Sequence, residues 1–371
     1  MHRRREGFRL RGWSQCPQWL RNWSNVFEMV FEGGIIVGVM TARPTIHDVA
    51  AAAGVSVATV SKAVNGRYGV APATATRVLE VVRELGYESS LVASSMRSRR
   101  TGVIGVLVAG FEPFSAEILK GVGSVLAESR FDLLAYSGSH EGEQEGWERR
   151  SLSRLSGTLI DGAILVTPTV VSAPSDIPLV AVDPHTGRAD LPTVESDNFG
   201  GALLAIRHLV ALGHRRIGFV AGRGDLRSAR LREAGYRAAL AEAGIAFDER
   251  LLRVGNYHRD TARRPASSLL SLPDRPSAVF AANDVSALAI IETAAHLGLA
   301  VPHDLSVVGF DDVPEAARFD PPLTTVRQPM QTLGATATEM LIALMSGREP
   351  RSLHVQLPTQ LVRRATTGPP A

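Results

Sequence analysis

The stretch Thr45 to Asn65, TIHDVAAAAGVSVATVSKAVN, constrains local folding more than any other part of the chain. Ile46, Val49, Ala50 and Ala53 recur at i, i+3, i+4 and i+7, the spacing of a helix that packs one face on a small core. Thr45 precedes the run and Asp48 follows three residues on, a capping-box-like start that puts a carboxylate in the first turn. Gly54 ends the helix, since a left-handed residue costs glycine least. Ser56 then caps a second helix whose Val60, Ala63 and Val64 face inward, leaving Thr59, Ser61 and Lys62 outside. Two short helices about a glycine turn form a helix-turn-helix, and the second is of a size to enter a DNA major groove. An ordinary helical hairpin would carry the same signals, so the rest of the chain must choose between them.

Charge favours the DNA reading by its placement. The whole chain has a net charge of only +3. Between Met40 and Arg100, however, Arg43, Lys62, Arg67, Arg77, Arg83, Arg97, Arg99 and Arg100 face only Asp48, Glu80, Glu84 and Glu88. A surplus of cations around a helix-turn-helix is what phosphate neutralisation needs. After Asn65 a Gly66-to-Gly69 turn leads to Pro72, suited to a first helical position, and to an inward stripe of Val78, Leu79, Val82 and Leu85 closed by Gly86. Residues 41–88 therefore read as a three-helix head. Residues 89–100, ending LVASSMRSRR, read as a linker or as a helix that forms only on DNA, with Met96 as an apolar wedge between base steps.

At 371 residues, with 45% hydrophobic and 21% charged positions, the chain suits two or three globular domains. Its single cysteine, Cys16, excludes an intramolecular disulfide and fits a reducing cytoplasm. No apolar run approaches membrane-spanning length, and the arginines near the start are not followed by an export signal. Residues 1–40 hold Trp13, Trp19 and Trp23 without clear periodicity, and we expect a disordered extension, with Met40 as the biological start.

From Thr101 the pattern changes. Buried-strand runs at Val103–Val108, Leu133–Tyr136, Ala163–Val166 and Leu179–Val182 alternate with helical stretches. A second set follows from Asn198, with strands at Ile217–Ala221, Leu252–Val254, Val279–Ala281 and Ser306–Phe310. Strands alternating with helices imply α/β architecture, here doubly wound parallel sheets in two similar halves. Ligands of such sheets bind beyond the carboxyl ends of the strands, which singles out Asp183, Asn283, Asp284 and Asp311.

Five segments, in order, carry a wider likeness: TIHDVAAAAGVSVATVSKAVNG, LVASSMRSRRTGVIGVLV, DNFGGALLAIRHLVALGHRRIGFVAG, SARLREAGYRAALAEAGI and FAANDVSALAIIETAAHLGLAVPHDLSVVGFDDVPEAARFDPPLTTVRQP. By these the chain, from Thr45 to Thr367, resembles the lactose-repressor (LacI/GalR) family of bacterial transcription regulators. The resemblance implies a DNA-binding head, a hinge helix at 89–100, and a core at 101–371 like the two-lobed periplasmic sugar-binding proteins. Lobe one is expected at about 101–197 plus 328–356, lobe two at about 198–327 plus 357–367. It also implies a homodimer on a near-palindromic operator, a repressor whose DNA affinity responds to a small effector between the lobes, most simply a sugar.

Residue by residue, the resemblance places Thr45, Ser56, Val57, Ala58, Thr59, Ser61, Lys62 and Asn65 on the DNA and Met96 at the wedge, where the family usually has leucine. Val57 and Ala58, at the two main base-reading positions, offer contact to thymine methyls, and Lys62 is left for guanine or phosphate. In the core, Arg232 matches the family's effector-binding arginine and Asp311 an aspartate that accepts from the ligand. A guanidinium fork opposite a carboxylate suits adjacent sugar hydroxyls. Asp183 and Asn283 hold similar strand-end places, Tyr257 falls where an aromatic stacks on the ligand, and Phe114 and Ser115 follow the first strand. Ser115 stands against a flat heteroaromatic ligand. The plain alternative for Arg232 and Asp311 is a structural ion pair.

Two other classes compete. A plain solute-binding protein would share the core but needs an export signal and no helix-turn-helix. An enzyme would need chemistry that the chain does not display: its glycine pairs lack the dinucleotide fingerprint, and no nucleophile elbow or helical His pair occurs. We expect no catalytic residues, no metal and no cofactor. A non-sugar metabolite remains the alternative effector.

Overall fold

The computed structural model describes residues 26–31, 34–39, 44–64, 68–87, 100–138, 146–169, 175–185 and 191–371. They fall in two units, 1–90 and 91–371.

In the first unit, strands β1 (Val26–Phe31) and β2 (Gly34–Val39) pair antiparallel, Val26 opposite Val39. The expected disorder up to residue 40 is therefore corrected over these residues. VFEMVF and GIIVGV are rich in the β-branched and aromatic residues that suit a pleated backbone. Helices α1 (Ile46–Ala53), α2 (Val57–Val64) and α3 (Pro72–Leu85) follow. Val49, Val60 and Val78, all fully buried, meet at their centre. Gly54 (φ 65°) and Gly86 (φ 61°) end α1 and α3 in the left-handed conformation. The inward stripe of α3 differs from expectation: Leu79 and Leu85 are exposed, while Ala75, Val81 and Val82 pack beside Val78. The helix is rotated to present its small and β-branched residues to the narrow space between α1 and α2.

The second unit runs β3 (Val103–Val108), α4 (Pro113–Leu126), β4 (Asp132–Ser137), α5 (Trp147–Leu155), β5 (Gly162–Val166), β6 (Leu179–Val182) and β7 (Thr193–Ser196). It continues through α6 (Asn198–Ala211), β8 (Ile217–Ala221), α7 (Arg227–Glu242), β9 (Leu252–Val254), α8 (Arg259–Leu270), β10 (Ala278–Ala281), α9 (Asp284–His296) and β11 (Ser306–Asp311). The last elements are α10 (Pro314–Arg318), β12 (Thr324–Arg327), α11 (Met330–Met345), β13 (His354–Leu357) and β14 (Gln360–Val362). Two six-stranded sheets result, β13-β7-β6-β5-β3-β4 in one lobe and β14-β12-β11-β10-β8-β9 in the other. Every strand pair is parallel except β12 with β14 at one edge. The chain passes between lobes after β7, after β12 and after β13.

Both lobes are closely packed. In lobe one, α4 and α11 cross so closely that a Cβ on Gly121 would lie 1.9 Å from the Gln331 carbonyl oxygen, and one on Gly334 2.2 Å from that of Ile118. In lobe two an aromatic file runs through the core: Tyr236 and Phe219 at 5.1 Å, Phe219 and Phe280 at 5.0 Å, Phe280 and Phe310 at 6.4 Å. Its last ring, Phe310, lies beneath the Arg232 guanidinium.

Candidate functional site

In the head, the Asp48 carboxylate accepts from both the backbone N–H and the hydroxyl of Thr45 at 2.7 Å, and these bonds hold it below the usual carboxylate range. The Thr59 N–H donates to the Ser56 hydroxyl oxygen at 3.1 Å, and the two hydroxyls meet at 2.9 Å. Ala58 and Lys62 are exposed on α2, Ser61 and Thr59 half-buried. Val57 is also half-buried and leans on the head's apolar core, so it presents only part of its surface outward. Asn65 and Met96 lie outside the described residues.

In the core, a cavity of about 190 Å³ opens between the lobes. Phe114, Ser115, Asp183, Arg232, Tyr257, Asn283 and Asp311 all line it, although up to about two hundred positions separate them in the chain. Asp284 does not: fully buried behind the wall, it accepts from the Val313 N–H at 2.9 Å and the Thr325 hydroxyl at 2.5 Å. The sequence reading missed Glu112, Thr167, His185, Arg223, Asn256 and His258, which also line the cavity. Thr167 directly follows β5, so the strand-end rule that found Asp183 would have found it too.

Arg232 is the anchor. Its guanidinium stacks 3.8 Å over Phe310 and 5.7 Å from the Tyr257 ring. Nε donates to the Asn198 side-chain oxygen at 2.9 Å, Nη1 to the Ala282 carbonyl, and Asp311 Oδ1 stands 3.5 Å from Nη1. Asp311 also accepts from Gln328 Nε2 at 2.7 Å. Its neighbour Asp312 points elsewhere, to Arg327 and Arg364 at 2.6 Å each. Burial pushes both Asp183 and Asp311 up to about 6, against the pull of the Arg232 charge. Burial, helped by Arg223, holds His185 down to about 4, so its imidazole is neutral. Tyr257 fits because residue 222 is glycine: a Cβ there would sit 2.1 Å from its ring.

The backbone is distinctive here. Among the described residues, Thr167, Asp183, Asn256, Tyr257, Asp311 and Asp312 are the non-glycine residues with positive φ, from 47° to 117°. The first five line the cavity. Such angles persist where surrounding structure over-determines them, and they cluster at binding sites. Contacts across the cleft close the walls: Arg227 pairs with Glu195, its N–H donates to the His185 carbonyl at 3.0 Å, and His258 stands 3.5 Å from Glu112.

A helix-turn-helix unit followed by a two-lobed core of parallel sheets defines a DNA-binding transcriptional regulator. Residues 45–90 match the model of bacterial regulatory proteins of the lacI family, and residues 206–367 that of the periplasmic binding protein-like domain. The HTH-type transcriptional repressor PurR of Photobacterium profundum is 33% identical over 330 residues, 86% of this chain and 97% of that protein. The transcriptional regulator CelR in complex with cellobiose is 33% identical, covered over 87% of this chain and 100% of that one, with a TM-score of 0.66. The lac repressor dimer bound to operator and the anti-inducer ONPF gives 28% identity, 88% and 100% coverage and a TM-score of 0.77. The chain belongs to the lacI family of bacterial regulatory proteins.

Proposed function

We propose that this regulator is a cytoplasmic repressor, not an enzyme, which binds a near-palindromic operator as a homodimer and whose DNA affinity is set by a sugar held between the core lobes. One observation carries the effector reading: seven side chains from distant parts of the chain converge on one cavity, around a guanidinium and two carboxylates. The CelR structure with cellobiose and the operator-bound lac repressor dimer support it by likeness. Thr45, Ser56 to Thr59, Ser61, Lys62 and Asn65 are assigned to the operator, with Met96 as the wedge. A non-sugar metabolite is the second reading.

The test is a titration of labelled operator with full-length protein, with and without sugars. Affinity should fall by about 10³-fold or more between 50 and 200 mM salt if each dimer displaces six or more phosphate counterions. A nearly flat salt dependence removes the DNA assignment. Arg232→Lys keeps the charge but loses the planar fork, and a charged hydrogen bond is worth about 1.5–3 kcal/mol. Effector affinity should therefore drop about tenfold or more. Unchanged affinity would make Arg232 and Asp311 a structural ion pair.

A further inference from the structure

We propose that the cavity takes a single uncharged sugar ring, an unphosphorylated monosaccharide, and rejects sugar phosphates and other anions. The proposal rests on reading the cavity as the effector site and adds the charge and size of what enters it.

Size comes first. A cavity of about 190 Å³ lies below the ~300–1,000 Å³ of pockets for drug-sized ligands. So small a volume suits one sugar ring rather than two.

Charge is the sharper constraint. Glu112, Asp183 and Asp311 line the cavity against Arg223 and Arg232, three carboxylates to two guanidinium groups. Neither arginine is available as a free cation. Arg223 is held by Asp225 through two bonds, at 3.1 and 2.5 Å. Arg232 has Nε and Nη1 engaged and Asp311 alongside. Asp183 is the reverse case. It is buried, accepts from the Ser196 N–H at 3.1 Å, and forms no ion pair among the described residues.

An ionised carboxylate only accepts hydrogen bonds, so Asp183 needs a donor from the ligand. A sugar hydroxyl donates to it while accepting from Asn283 or Arg232. A phosphate offers acceptor oxygens and negative charge, and meets the buried Asp183 carboxylate as a like charge. Helix starts could still favour an anion. Here Glu112 immediately precedes α4, and the Asn283 side chain caps α9 by accepting from the Ser286 N–H at 3.0 Å. His185, whose Nδ1 has no partner among the described residues, lines the cavity and can donate or accept one more hydroxyl bond.

The test uses full-length protein and isothermal titration with D-glucose, D-galactose, D-fructose, D-ribose and L-arabinose, then glucose 6-phosphate, fructose 1,6-bisphosphate, ribose 5-phosphate and cellobiose. At least one free monosaccharide should bind, with phosphates and cellobiose at least tenfold weaker. Asp183→Asn should weaken that monosaccharide tenfold or more; the wild-type comparison stands without it should the variant not fold. Phosphate or disaccharide binding as tight as that of the monosaccharides overturns the proposal, as does binding by none of the five monosaccharides. Operator titration with each binding compound separates the two readings. A sugar phosphate that binds and shifts operator affinity sinks this class but keeps the regulatory function. A monosaccharide that binds and leaves operator affinity unchanged does the opposite.

Discussion

Asp183 illustrates how the site sets ligand need against stability. It has φ 47°, is buried, and has a carboxyl raised from 3.8 to about 6 by burial. A carboxyl that ionises less readily folded than unfolded costs stability once the unfolded chain has lost its proton. The cost is absent below about 3.8, grows as pH rises, and is complete above about 6. Asp183→Asn mimics the protonated form and keeps an oxygen for the Ser196 N–H. It should raise the melting temperature at pH 7.5, with the gain shrinking steadily toward pH 4.5. An equal gain at both values would deny any role to ionisation. Most side chains of the site were legible in the sequence: strand ends and the family likeness both pointed to Asp183, Asn283 and Asp311. Arg232, inside a helix, came from the likeness alone, and Asp284, also at a strand end, lies outside the cavity. The backbone was not legible. Positive φ at Thr167 or Tyr257 is imposed by packing, and neither residue type advertises it.

Among the elements, the crossing of α4 and α11 matters most to the cavity. α4 carries Phe114 and Ser115 at its first turn, and α11 starts two residues after Gln328, whose amide holds Asp311. Gly121→Ala would drive a methyl into the Gln331 backbone, which cannot move aside like a side chain. Overpacking of this kind costs about 1–3 kcal/mol, read as a melting temperature several degrees lower. A variant as stable as the parent would mean that the helices separate at little cost. Periodicity located the strand–helix alternation up to Phe310 except for β7, whose TVES has no apolar run to mark it. It yielded no strands or helices beyond Phe310. β12, β13 and β14 read TTVR, HVQL and QLV, short and without the run of apolar residues that marked the equally short β6 and β10. In α3, period alone could not tell Leu79 from Val82, since a one-residue rotation of the stripe depends on neighbours that sequence spacing does not contain.

For the whole molecule, the segment before the head poses the plainest question. An isolated two-stranded hairpin is marginal in water, and among the described residues β1 pairs only with β2. Removing residues 1–39 should leave the melting temperature within about a degree and operator affinity unchanged; a drop of several degrees would show that this segment packs on the body. The three passages between lobes have another consequence, which concerns descent rather than mechanics. The head is one uninterrupted piece of chain, so recombination at a single joint can give a core a new reader of DNA. Neither lobe is continuous. Its sheet is completed by a segment from beyond the other lobe, β13 in one case and β14 in the other. No single genetic crossover can exchange one wall of the cavity and leave both sheets whole. One wall of the cavity is therefore altered most simply by point substitution, while new DNA targets can also be acquired whole.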